Sequence, residues 1–135
     1  MATGNNCFRY LDAQNKIDIL QGMEDWEKDT TLVSWYIRVQ DKEFKDFDIE
    51  DICRSIRQGF YVEYILPYAM KYLKGNVLAG EKYDGELLVA LNSLRKEYPN
   101  KLNKYKKTIK SMIKDKIHTV EDEDIIKAAN EWFNI

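Results

Sequence analysis

Val62, Ile65, Leu66, Ala69 and Leu73 keep the spacing of one helical face straight across Pro67. This run, set between Gly59 and Gly75, constrains the fold more than any other, because a proline inside a helix removes a donor and crowds the carbonyl four residues back. Two solutions are open. The helix begins late, so that Pro67 lies in its first turn where the donor is unpaired anyway, or it begins near Tyr61 and bends at Pro67. The unbroken stripe slightly favours the second. In both cases Gly75 supplies a stop.

The same three-and-four spacing recurs on either side. Upstream, Ile49, Ile52, Cys53 and Ile56 form one stripe, with Asp48 as N-cap, Glu50 and Asp51 at the positive end of the dipole, and Gly59 placed to end the helix left-handed. Leu32, Trp35, Tyr36 and Val39 form another, behind possible caps at Asp29, Thr30 and Thr31; its aromatic and β-branched content would also permit a strand. Residues 8–27 read as one or two short helices broken near Gly22, with Ile17, Leu20 and Trp26 inward.

Downstream, Leu87, Leu88, Leu91 and Leu94 line a helix that Pro99 ends or follows. Leu102, Tyr105, Ile109, Met112 and Ile113 face inward among lysines. Thr119 reads as an N-cap near a capping box with Asp122, ahead of Ile125 or Ile126, Ala129, Trp132 and Phe133. Only two prolines and six glycines interrupt 135 residues. The expectation is an all-α fold: a single compact helical domain of six to eight helices over residues 1–135, with residues 1–6 as a loose tail.

Little in the sequence points to chemistry. A chain of this length buries enough surface to fold without a disulfide or a metal. Cys7 and Cys53 therefore read as reduced thiols of a cytosolic protein, although a bridge between them stays open. His118 is the only histidine, and the ligand pairs of common metal sites are absent. Cys53 with His118 could form a nucleophile and base, but Cys53 belongs to an apolar stripe. The carboxylates at Glu121, Asp122, Glu123 and Asp124 suit a helix start. No phosphate-cradling glycine loop is present. The apolar stretch Phe60–Met70 is broken by Glu63 and too short to cross a bilayer. The N-terminal "MATGNN" is no secretory signal. No cofactor, no metal, no membrane and no enzymatic activity are expected.

Charge is unevenly placed. From Asp12 to Asp51 there are 12 acidic and 5 basic residues, and from Arg95 to Lys116 there are 9 basic and 2 acidic. The lysines of residues 101–116 could hold nucleic-acid phosphates, the alternative function, but the segment offers no run of exposed aromatics for base stacking. The acids of the first half exceed what helix caps need: Glu24, Asp25, Glu27, Asp29, Asp41, Glu43, Asp46 and Asp48. Together they could attract a basic protein, and they are the candidate partner-binding residues.

The stretch around Pro67 also resembles the CdiI-type immunity proteins of bacterial contact-dependent growth inhibition (CDI) systems. The similar frame runs from Ile19 to Leu94 through "ILQGMEDW", "LVSWYIRVQDKEFKDF", "DIEDICRSIRQG" and "YILPYAMKYLKGNVLAGEKYDGELLVALNSL". Its marked positions include Gln58, Gly59, Tyr64, Pro67, Tyr83 and Gly85. The sequence departs from the family pattern at Gly85-Glu86, where an aspartate usually follows the glycine, and in a longer, more lysine-rich tail after residue 95. The resemblance implies a cytoplasmic inhibitor that binds the toxic C-terminal domain of its matching CdiA. Many such domains are nucleases with basic active sites, which acidic residues could cover. No direct contact with nucleic acid is implied.

Overall fold

Helix termini in this chain are set by short polar side chains and left-handed residues, and these divide it into seven α-helices and two 3₁₀ segments, with no strand, among the described residues. The computed structural model describes residues 6–17, 30–76, 78–116, 118 and 120–133. The chain falls into two compact units, Met1–Phe47 and Asp48–Ile135.

In the first unit, α1 (Phe8–Gln14) starts at Cys7, whose Sγ accepts the Tyr10 N–H at 3.5 Å. Two residues past its end lies Lys16, a left-handed residue (φ 57°). There the N–H groups of Ile17 and Lys16 reach back to the carbonyls of Asp12 and Ala13, at 2.8 and 3.2 Å, closing a Schellman turn. Helix α2 (Thr31–Val39) is capped by Thr30, whose hydroxyl accepts the Val33 N–H at 3.3 Å. A 3₁₀ turn follows at Phe44–Asp46. The core of this unit is aromatic. Phe8 stacks on Tyr36 at 5.1 Å and meets Trp35, Phe44 and Phe47 edge-on at 5.5–5.9 Å, the arrangement that ring quadrupoles prefer. The Tyr36 hydroxyl donates to Asp12. Trp35, Tyr36 and Val39 are buried as the helical stripe predicts, with Leu32 half-buried. Ile17 is a correction: it lies beyond the end of α1 and is exposed, because the chain leaves the helix at Lys16 before the stripe reaches it. The positions expected for Leu20, Gly22, Trp26, Asp29 and Thr119, and for the Phe133 side chain, lie outside what is described.

The second unit holds α3 (Ile49–Gln58), α4 (Val62–Gly75), α5 (Glu86–Glu97), a 3₁₀ segment (Pro99–Tyr105), α6 (Lys106–Lys116) and α7 (Glu123–Phe133). Helix α3 opens on a capping box: Asp48 accepts the Asp51 N–H at 2.9 Å, and Asp51 accepts the Asp48 N–H at 3.2 Å. It closes at Gly59 (φ 74°), where Phe60 donates to the Ser55 carbonyl at 2.9 Å. Helix α4 starts directly after Tyr61, itself left-handed (φ 46°), and Pro67 lies well inside it. The late-start solution is thereby excluded. Val62, Ile65, Leu66, Ala69 and Leu73 are all buried, while Pro67 faces outward.

Helix α5 is the centre of this unit and packs against α3, α4, α7 and the 3₁₀ segment. Leu87, Leu88, Leu91 and Leu94 are buried on it. Pro99 occupies the first turn of the 3₁₀ segment, so it both follows α5 and begins the next element. Leu102, Ile109 and Ile113 are buried, with Tyr105 and Met112 half-buried. On α7 the inward residues are Ile125, Ala128, Ala129 and Trp132. Its start is capped by Asp122, the residue just before the helix, which accepts the Asp124 N–H at 2.9 Å.

Candidate functional site

The connection from Asn76 to Gly85 is held from within. Its hub is Glu86, the first residue of α5, which is only 2% exposed. One carboxylate oxygen accepts the N–H groups of Glu81 and Lys82 at 2.9 and 3.1 Å, and the other takes the Arg57 guanidinium from α3. Burial pushes this carboxyl up, but those two N–H groups and Arg57 outweigh burial and hold it below the usual carboxylate range. Glycine is required at two points nearby. A Cβ on Gly80 would run into the Tyr83 carbonyl and Glu86, and one on Gly85 (φ 85°) would lie 2.7 Å from Ile125. The loop so fixed presents Tyr83, half exposed.

Cys53 is fully buried beside Glu86. Burial first, and then the Glu86 charge, push its thiol from 9.0 up to about 12, the opposite of what a nucleophile requires. His118 is exposed, whereas Cys53 is covered. Cys7 and Cys53 are both buried free thiols. Among the described residues no group of three or more His, Cys, Asp and Glu side chains is arranged to hold a metal ion.

Two concave regions flank this framework. A cavity of about 310 Å³ lies against Arg57, Gln58 and Gly59 on one side and Glu97, Tyr98 and Lys101 on the other. Lys101 also pairs with Glu63, and that hydrogen bond lowers the Glu63 pKa. A second, more open groove lies between the end of α4 and α6.

Of the eight acids read as partner-binding, Glu24, Asp25, Glu27 and Asp29 lie outside the described residues. Asp41 is exposed but bonded to Arg9, with Nη2–Oδ2 at 3.0 Å. Glu43 faces Lys45 at 3.2 Å, and Asp46 is exposed on the 3₁₀ turn. Asp48 is occupied as the α3 cap. Among the marked positions, Gln58 and Gly59 edge the cavity, Tyr64 and Tyr83 are surface residues, Pro67 lies on the outer side of α4, and Gly85 precedes α5. The sequence reading missed Arg57 and Glu86. They stand 29 residues apart, and no local spacing links them; the only hint was an acid placed after Gly85 at the head of an apolar helix.

A family model described as CDI immunity proteins matches residues 17–111. The chain belongs to this family. The match extends past Leu94, so the lysine-rich segment up to Ser111 is part of the CDI immunity frame and not an appendage to it. The α3–α4 turn and the Glu86 loop both fall inside it. A comparison with curated proteins found no match. None of the described helices is long and apolar enough to cross a membrane.

Proposed function

We propose that this CDI immunity protein acts in the cytoplasm by binding the toxic C-terminal domain of its matching CdiA and occluding its active or substrate-binding site, and that the toxin is a nuclease. Membership of the immunity family carries the reading. Such a protein works by presenting a surface and transforms no substrate, which fits the buried, proton-retaining Cys53. The preorganised helical scaffold supports it, since a surface already ordered loses less entropy on association. The excess of acids between Asp12 and Asp51 suits a toxin with a basic, phosphate-receiving cleft. Within that field Asp41, Glu43 and Asp46 are the described candidates for contact, with Glu24, Asp25, Glu27 and Asp29 beside them in sequence.

The test is titration of the purified toxin domain. Stoichiometric addition of this protein should abolish its nuclease activity, and co-expression should restore growth to cells making the toxin. Cells that die equally with and without the protein would overturn the proposal. A toxin domain active on lipid or on another substrate would overturn its nuclease part alone.

A further inference from the structure

The lysine-rich segment has no role in the reading so far, and the groove between α4 and α6 gives it one. The groove has a volume of about 780 Å³. Lys74 at the end of α4 and Lys107 on α6 stand at its edges, and Lys116 also lines it. Lys74 and Lys107 are exposed. Asp115 is the single carboxylate among the lining residues. The floor is apolar: Leu73 is buried, and Leu78 and Met112 are half-buried. A cationic rim over such a floor matches a segment that carries carboxylates beside an apolar residue.

We infer that the α4–α6 groove docks an acidic segment of the toxin domain, with an apolar side chain seated over Leu78 and Met112 and carboxylates facing Lys74 and Lys107. This rests on the immunity reading and assigns that function a second contact, opposite in sign to the acidic field of residues 12–51. A protein segment is favoured over a nucleic acid because the floor offers aliphatic and thioether groups and not the aromatic planes on which bases stack.

The experiment measures affinity of the full chain for the purified toxin domain, with Lys74→Glu and Lys107→Glu combined. Both side chains are exposed, so the thermal midpoint should hold. The dissociation constant should rise about tenfold or more, and its salt dependence should weaken. An acid-to-lysine change on the toxin should restore binding to the charge-reversed protein. Unchanged affinity would overturn the groove assignment and leave the immunity function standing. If the wild-type protein itself fails to bind the toxin domain, the functional reading fails and the groove assignment with it. If the wild-type chain binds a single-stranded oligonucleotide at about 0.15 M salt and the same two substitutions abolish that binding, the occupant is a nucleic acid and the inference is wrong.

Discussion

The unit Met1–Phe47 packs rings against rings around Phe8, whereas the unit Asp48–Ile135 packs aliphatic helices around Leu87, Leu88 and Leu91 and buries an ion pair at its edge. The difference is one of tolerance. A cluster of five rings built on short helices depends on a single central side chain. The larger unit spreads its apolar burial over many leucines and isoleucines, and concentrates its polar risk in Glu86. Both units end a helix with the same Schellman hydrogen bonds, yet one places Gly59 at the left-handed position and the other Lys16.

Four measurements would break or sharpen this contrast. The largest effect is expected for Phe8→Ala, which removes the ring shared by four of the aromatic contacts and should cost about 3–5 kcal/mol in urea unfolding. A loss below about 1 kcal/mol would show that the rings do not act as one core. Next is Glu86→Gln, which keeps the shape but weakens three charge-assisted bonds, for about 2–3 kcal/mol. Its pH signature is specific. The Glu86 pKa is lowered on folding, so its stabilisation is full above the ordinary value of 4.5 and disappears as pH falls through the folded value. The substituted protein should therefore lose less stability in acid than the wild type does.

Third, Gly59→Ala should cost about 1 kcal/mol, while Lys16→Gly should gain a few tenths, about 0.5 kcal/mol at most. Equal effects at the two sites would mean that the Lys16 turn is held by something besides its own backbone. The last measurement concerns Cys53, whose folded pKa is raised. Its contribution is intact below 9.0 and is lost as pH climbs from there to about 12. Cys53→Ala should thus come closer to the wild type in stability across that alkaline window.

The parts of the fold that depend on neighbours in sequence were legible before the structure. Asp48, Ile52, Cys53, Ile56 and Gly59 specify α3 because cap, stripe and stop all lie within twelve residues. The stripe across Pro67 likewise favoured the earlier start over the later one. What failed depended on distance or on competition between local terms. Ile17 fits a helical spacing, but the helix stops at Lys16. The Arg57–Glu86 pair carries no periodic signal, since packing of α3 on α5 brings it together. The candidate contact surface was the least legible: net charge locates a field, but an acid's use is decided by which cation or N–H lies next to it in space.

Pro67 lies on the outer side of α4, in the same helix whose inner side is sealed by Ile65, Leu66 and Ala69. The donor it lacks is therefore missing on a side of the helix that solvent can reach, which keeps the cost of the defect small. A proline at Leu66 would turn the same ring toward dry interior, where solvent has no such access.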